Sequence, residues 1–142
     1  LEFNCRLGDP ETQPILMRLE SDLTELCEAA LDHRLHLAEA KWTPHAAVGV
    51  VLAAGGYPDA VRKGDEIVGL DAAARLPGKV FHAGTQLEDG KVLTHGGRVL
   101  CAVGTGATVS AACKAAYALA DSITWTGLQY RRDIGYRAIA RE

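Results

Sequence analysis

The stretch RVLCAVGTGATVSAACKAAYALADS occupies residues 98–122, and it carries the strongest indication of the fold class. Its first part, residues 98–103, is a short apolar run, which predicts a strand. From about Thr108 to Ser122, apolar side chains recur every three or four positions, which predicts a helix with one buried face. The residues of that face are Val109, Ala112, Cys113, Ala116, Tyr117 and Ala120.

Further short strands are predicted on both sides of this stretch. Asp89-Gly90 separates two of them and is a strong hairpin signal, because both residues tolerate the positive φ angles of a tight turn. The other predicted strands are Val48–Leu52, Glu66–Leu70, Lys79–Leu87, Lys91–Thr94 and one or two within Trp125–Ile139. The pattern predicts an α+β fold, with a small antiparallel β-rich domain and one long helix.

Bulk composition is that of an ordinary globular chain. The chain has 142 residues, of which 48% are hydrophobic and 23% charged, which favours one domain of roughly 100 residues plus an extension. The net charge of −3 gives no electrostatic indication of a nucleic-acid or membrane partner. The four cysteines show no metal-binding spacing, so we expect buried free thiols and a cytoplasmic protein.

Residues 2–11 read EFNCRLGDPE and suggest a ligand site. If they begin as a strand, Glu2, Asn4 and Arg6 share one face, and successive members of this set have Cβ atoms about 6–7 Å apart. A carboxylate and an amide oxygen suit Mg²⁺, and the arginine suits a phosphate or carboxylate. The opposite face, formed by Phe3, Cys5 and Leu7, would pack into a core. The alternative is a surface strand with an ordinary wet face.

The strand is expected to end at Gly8 and to lead into a helix. Asp9 is the predicted N-cap and Pro10 the first helical residue. Periodic apolar residues continue to residue 31, and Ser21-Asp22 is a possible second start. Because the chain begins at Leu1 within a predicted strand, we expect it to be the tail of something longer.

Five segments together resemble one protein family. They are residues 2–14, Ala53–Pro58, Lys79–Thr85, Gly96–Leu100 and Asp133–Ile139. In this order they are similar to the C-terminal part of the phosphoribosylamine–glycine ligases. The resemblance implies that residues 1–36 form the end of an ATP-grasp domain, residues 37–44 a connector, and residues 45–142 the C-terminal β-rich domain.

The resemblance also implies a reaction. The family joins glycine to 5-phosphoribosylamine with cleavage of ATP, giving glycinamide ribonucleotide, ADP and phosphate in de novo purine biosynthesis. Mg²⁺ or Mn²⁺ would be the cofactor. The expected partners are the three small substrates and the N-terminal and ATP-grasp portions. Taken alone, these residues are expected to be inactive.

By the same resemblance, Glu2 and Asn4 hold the metal ion and Arg6 is the catalytic residue. Gly8, Asp9, Pro10 and Glu11 match the part of the family motif beside the acceptor substrate. Asp9 and Glu11 have an alternative role as acidic residues at a helix start, where they face the positive end of its dipole.

Gly97 and Arg98 form a second predicted substrate site. Glycine permits a close approach of the backbone to a ligand, and arginine binds phosphate through its planar fork. Because related enzymes use basic residues of this domain for the ribose phosphate, Arg98 is the expected contact. The alternative is a glycine-rich turn with a solvated arginine. For His82 and His95, a packed or solvent-facing position is the simpler interpretation.

Two other functions are compatible with parts of the sequence. A small β-rich domain of about 100 residues can fold alone and serve as a non-catalytic phosphosugar-binding or assembly module. A biotinyl or lipoyl carrier is disfavoured, because no lysine lies beside the single methionine, Met17, in an exposed hairpin turn.

Overall fold

The structure is a computed structural model that describes residues 4–142. The predicted metal ligand Glu2 therefore lies outside the described residues. The helices are α1 (Thr12–Leu16), α2 (Leu23–Leu31), α3 (Leu70–Ala73), α4 (Val109–Asp121) and α5 (Tyr136–Ile139), with a 3-10 turn at Leu35–Leu37. The strands are β1 (Ala46–Ala53), β2 (Lys79–His82), β3 (Thr85–Glu88), β4 (Lys91–Thr94) and β5 (Arg98–Gly106).

The central sheet has the order β1-β5-β2, and both pairings are antiparallel. Strand β5 lies in the middle, with Ala46 opposite Gly106 on one side and Lys79 opposite Val103 on the other. Its residues 99–103 are buried. Successive side chains of a strand point to opposite faces, so β5 is buried on both faces. A strand of this kind needs apolar side chains on each face, which explains its continuous apolar sequence.

Helix α4 packs on this sheet and completes the core. Its Ala112, Ala116 and Ala120 are fully buried, and the Thr108 side chain caps its first turn by accepting a hydrogen bond from the Ala111 N–H at 3.1 Å. A Cβ atom at Gly104 of β5 would lie 2.2 Å from the Ala116 nitrogen, so the close packing of helix on strand requires glycine there. The predicted helix and the α+β class are confirmed.

The hairpin prediction is also confirmed, with one correction. Asp89 and Gly90 connect β3 and β4, which pair from Thr85↔Thr94 to Glu88↔Lys91. The single strand predicted over residues 79–87 is wrong, because the chain turns at residues 83–84 between β2 and β3. This turn lets β2 join the central sheet while β3 pairs with β4.

The N-terminal segment differs from the prediction. Residues 4–7 form no strand, and both Cys5 and Leu7 are exposed rather than packed. An extended segment needs a partner strand for its backbone hydrogen bonds, and within the described chain none pairs with it. The predicted second helix start is correct, since the Asp22 carboxylate accepts from the Thr24 N–H at 2.7 Å.

The first helix begins later than predicted. Glu11, not Asp9, occupies the N-cap position of α1, and Pro10 precedes the helix instead of opening it. The carbonyl of Gly8 accepts the Thr12 N–H at 3.0 Å, which closes the turn before the helix. The carboxylate of Asp9 is consequently free for contacts elsewhere in the fold.

Two predicted strands are local structure instead. Residues 66–70 make isolated bridges at Glu66 and Val68 and then enter α3. Residues 125–139 contribute a single bridge at Gln129 and end in α5. Ile67 and Val68 bond to Val92 and Thr124, and Gln129 bonds to Ala53, so these segments make isolated bridges without extending the sheet.

The cysteine prediction is half correct. Cys101 and Cys113 are buried free thiols, whereas Cys5 and Cys27 are exposed. No helix within residues 4–142 combines the length and apolar character needed to cross a membrane. The division at residues 1–36, 37–44 and 45–142 stays a prediction.

Candidate functional site

An ion pair joins the two site segments that the sequence analysis singled out. Asp9 Oδ2 lies 3.1 Å from Arg98 Nε, although the residues are far apart in sequence. Asp9 also accepts a hydrogen bond from the Gln13 side-chain amide at 3.1 Å, which anchors the carboxylate on α1. Arg98 opens β5 opposite Ala53, at an irregularity in the pairing with β1. The fold thus brings two of the predicted substrate-binding residues together.

Arg98 lines a cavity of about 460 Å³. Its other lining residues are Val51, Ala53, Tyr57, Gln129, Tyr130 and Arg131. The lining is mostly apolar and aromatic, and two of its residues are arginines. Concave, mostly apolar cavities of this size with a few placed polar groups are typical of small-molecule sites.

Tyr57 shapes this cavity together with Gly97. A Cβ atom at position 97 would lie 2.4 Å from Tyr57 Cδ2, so the ring packs directly against the glycine backbone. The Gln129 side-chain amide donates to the carbonyls of Ala54 and Tyr57 at 3.0 and 3.1 Å. The group next to the Gly97 backbone is thus the Tyr57 ring, and the approach of a ligand to this glycine stays a prediction.

Arg131, from the C-terminal segment, also lines the cavity, and its side chain is exposed. Its Nε and Nη2 donate to the two carboxylate oxygens of Asp133 at 2.9 and 2.7 Å. These hydrogen bonds from the guanidinium hold the pKa of Asp133 below its ordinary value. The Tyr117 hydroxyl donates to the Arg131 carbonyl at 2.9 Å and accepts from the Ile134 N–H at 3.1 Å.

Arg6 and Glu11 lie apart from this cavity. Arg6 Nη1 is 3.9 Å from Glu11 Oε1, and both side chains are exposed. Glu11 instead borders a separate depression with Arg18 and Trp42. Asn4 is exposed as well. The structure therefore places Asp9 beside Arg98 but does not gather Arg6 or Glu11 into the same cavity.

Cys101 lies beneath the site on β5. It is buried, and the loss of hydration raises the pKa of its thiol to about 11, with a smaller contribution from the negative charge of Asp9. His82 is exposed and bonds to Thr85 through Nδ1 at 3.1 Å, in agreement with the simpler interpretation. No group of three His, Cys, Asp or Glu side chains within residues 4–142 is placed to hold a metal ion.

Of the seven lining residues, only Arg98 was identified from the sequence as a site residue, and the six that were missed include Tyr57, Gln129 and Arg131. Tyr57 lies within the segment Ala53–Pro58, and Arg131 lies two residues before the segment Asp133–Ile139. Both segments carry the family resemblance, and this resemblance was the one signal in the sequence that pointed to these residues. Local spacing gives no indication that residues 57 and 129 touch.

Residues 47–137 match the sequence profile of the family described as "Phosphoribosylglycinamide synthetase, C domain". The chain belongs to this family. All seven residues that line the cavity lie inside the matched range. Asp9, Arg6 and Glu11 precede it, so the family domain supplies the cavity and the preceding segment supplies the carboxylate that contacts Arg98.

Longer relatives of this family carry one consistent name. The chain is 63% identical over 142 residues to phosphoribosylamine–glycine ligase of Pseudomonas putida and 64% identical to that of Pseudomonas aeruginosa. Each match covers 100% of this chain and 33% of the relative, so the chain spans about a third of their length.

A solved structure gives the same result for the fold. The crystal structure of phosphoribosylamine–glycine ligase from Thermotoga maritima is 42% identical, with a TM-score of 0.70, and the match covers 94% of this chain and 32% of that one. The α+β architecture and the family resemblance recognised in the sequence are both confirmed.

Proposed function

We propose that this chain acts as the C-terminal portion of a phosphoribosylamine–glycine ligase. In this role it contributes to the ATP-dependent joining of glycine to 5-phosphoribosylamine, which yields glycinamide ribonucleotide, ADP and phosphate in the cytoplasm. The single observation that carries the proposal is the ion pair between Asp9 and Arg98 beside the cavity. This ion pair links residues 8–11, which are expected beside the acceptor substrate, to the guanidinium group of Arg98, which is suited to a sugar phosphate. The family membership of residues 47–137 supports the same conclusion.

The residues divide the work between two substrates. Arg98 binds the phosphate of phosphoribosylamine, since this residue lines the cavity and its side chain is half-exposed. Gly8, Asp9, Pro10 and Glu11 lie beside the glycine substrate. Arg6 stabilises the negative charge that develops on the glycyl phosphate oxygens during transfer. Its exposed guanidinium, 3.9 Å from Glu11, is accessible for that contact.

Glu2 and Asn4 would hold Mg²⁺ or Mn²⁺. A carboxylate paired with an amide oxygen is a donor set that such an ion accepts while it keeps several waters. The exposed position of Asn4 is compatible with this role. The ion would neutralise negative charge on the ATP phosphates, and the chain's own contribution would be to supply these two oxygen ligands.

A second candidate function follows from the location of the cavity. Its lining residues all fall between Val51 and Arg131, within the family domain. The domain can therefore bind a phosphosugar without the remainder of a ligase. In that case the chain is a binding or assembly module without activity of its own.

The ligase proposal is tested with a chimera. This chain replaces the matched third of the Pseudomonas putida relative, and formation of glycinamide ribonucleotide is measured with ATP, glycine and phosphoribosylamine. We expect turnover that requires all three substrates. Arg98→Ala should raise KM for phosphoribosylamine and leave KM for glycine unchanged. The matched control is Arg137→Ala, an exposed arginine outside the cavity.

A folded chimera without turnover would contradict the ligase function. If the isolated chain still binds ribose 5-phosphate in that case, the binding-module function is favoured. An equal loss of activity in Arg98→Ala and Arg137→Ala would contradict a specific role of Arg98 in phosphate binding.

A further inference from the structure

We propose that residues 135–142 form a strap that opens as a unit, with Gly135 as its hinge and Glu142 as its fastening to the start of α4, and that this strap controls the access of solutes to the Cys113 thiol. The inference goes beyond the proposed ligase function and does not depend on it. None of these three residues lines the cavity that contains Arg98.

The fastening is a carboxylate that lies on the first turn of α4. Glu142 Oε1 accepts a hydrogen bond from the Val109 N–H, and Oε2 accepts one from the Ser110 N–H at 3.3 Å. The next N–H of this turn, on Ala111, donates to the Thr108 side chain. The first N–H groups of a helix have no partner within the helix, and they form the positive end of its dipole. Glu142 therefore supplies both an acceptor and a favourable charge.

The strap between its two ends is lightly attached to the rest of the fold. Its only helix, α5, has four residues, and every residue from Tyr136 to Glu142 is exposed. The backbone N–H groups of residues 138–142 donate to carbonyls within the strap itself. A segment that has few buried contacts opens at a lower free energy than the core does. The hydrogen bonds of Glu142 are therefore the contacts expected to hold the strap closed.

Gly135 is suited to be the hinge. Its φ is +80°, a conformation that glycine adopts without strain. A Cβ atom at this position would lie 2.8 Å from Cys113 Sγ, so the closed strap also requires glycine for packing. The chain just before it is fixed to α4, because the Tyr117 hydroxyl bonds to the Arg131 carbonyl and to the Ile134 N–H at 2.9 and 3.1 Å. The segment that opens consequently begins at Gly135.

The closed strap covers a thiol. Cys113 is buried, and its Sγ donates to the Ile134 carbonyl at 3.4 Å. Burial raises the pKa of the Cys113 thiol, and the negative charge of Glu142 adds to this rise. Since the thiolate is the reactive form of cysteine, the closed strap slows reaction with electrophiles by covering the sulfur and by favouring its protonated state. Opening of the strap removes both effects.

The test compares the alkylation of two buried cysteines by iodoacetamide. It uses a Cys5→Ser, Cys27→Ser background, which removes the exposed thiols, and mass spectrometry identifies the alkylated residue. Cys101 lies in the central sheet and reports on opening of the core. Glu142→Ala should speed the alkylation of Cys113 about five- to tenfold and leave that of Cys101 unchanged.

Two further variants show whether the carboxylate is responsible. Glu142→Gln keeps one acceptor oxygen but loses the charge, so its Cys113 rate should lie between those of the background and of Glu142→Ala. Glu88→Ala, at an exposed position of β3, is the matched control and should keep the background rates. Backbone amide exchange should be faster in Glu142→Ala at Val109, Ser110 and residues 138–140, while β5 keeps its protection.

An unchanged Cys113 rate in Glu142→Ala would show that Glu142 does not fasten the strap, and the inference would be wrong. The inference is also wrong if Cys113 and Cys101 accelerate by the same factor, because the core then opens as a whole. The ligase proposal is judged separately, by the turnover of the chimera.

Discussion

The Tyr57 ring occupies the space that any side chain at position 97 would need. The distance from Tyr57 Cδ2 to a Cβ atom built on Gly97 is 2.4 Å, and to Cε2 it is 2.8 Å. Tyr57 lines the cavity from the loop after β1, and Gly97 lies in the turn before β5. The glycine is therefore required by packing against an aromatic side chain.

Gly97→Ala should destabilise the fold by about 1–3 kcal/mol, the usual cost of an added methyl group in a packed site. Thermal unfolding measures this cost. In a Tyr57→Ala background the methyl group has room, so the same substitution should cost much less. Equal costs in the two backgrounds would show that the ring is not the obstacle.

Gln129→Glu should detach the loop that carries Tyr57. The substitution keeps the shape of the side chain but replaces two N–H donors by an acceptor facing the carbonyls of Ala54 and Tyr57. We expect a loss of about 1 kcal/mol in the free energy of unfolding by urea. Gln86→Glu, at an exposed position of β3, is the matched control and should have no effect.

Asp9→Asn should change stability by less than about 1 kcal/mol, because Asp9 and Arg98 are both half-exposed and water screens their attraction. In contrast, Leu52→Ala removes a fully buried side chain and should cost about 2–5 kcal/mol. Urea unfolding compares the two. A large effect of Asp9→Asn would indicate that the ion pair is needed for folding.

Cys101 should make the fold sensitive to alkaline pH. Its thiol has an ordinary pKa of 9.0, and burial raises the pKa to about 11 in the folded state. Below pH 9 the thiol is protonated in both the folded and the unfolded chain, so its titration does not affect stability. Between pH 9 and 11 the unfolded chain loses this proton more readily than the folded chain does. The free energy of unfolding therefore falls by up to about 2–3 kcal/mol over this range. In Cys101→Ala this part of the decline should be absent from unfolding curves recorded across that range.

The chain alone should not form glycinamide ribonucleotide. It spans about a third of the length of its relatives, and the groups that hold ATP are expected in the remainder. A coupled assay for ADP with ATP, glycine and phosphoribosylamine measures this directly. Turnover by the purified chain, lost in Arg98→Ala but kept in Arg137→Ala, would overturn the expectation.

Local patterns predicted those elements whose interactions are close in sequence. The apolar face of α4 and the Asp89-Gly90 turn were both identified correctly, since helix periodicity and turn chemistry depend on neighbouring residues. The strand expected over the first seven residues does not form within residues 4–7, because a strand depends on a partner that its own sequence does not supply.

The sequence by itself identified the family and singled out Arg98 as an expected substrate contact, because both depend on motifs that each occupy a continuous segment. Only the tertiary structure placed Asp9 beside Arg98, Tyr57 against Gly97, and Arg131 in the same cavity. These contacts join segments far apart along the chain. They depend on how α4, the central sheet and the C-terminal turn pack together, and no local pattern of residues encodes that geometry.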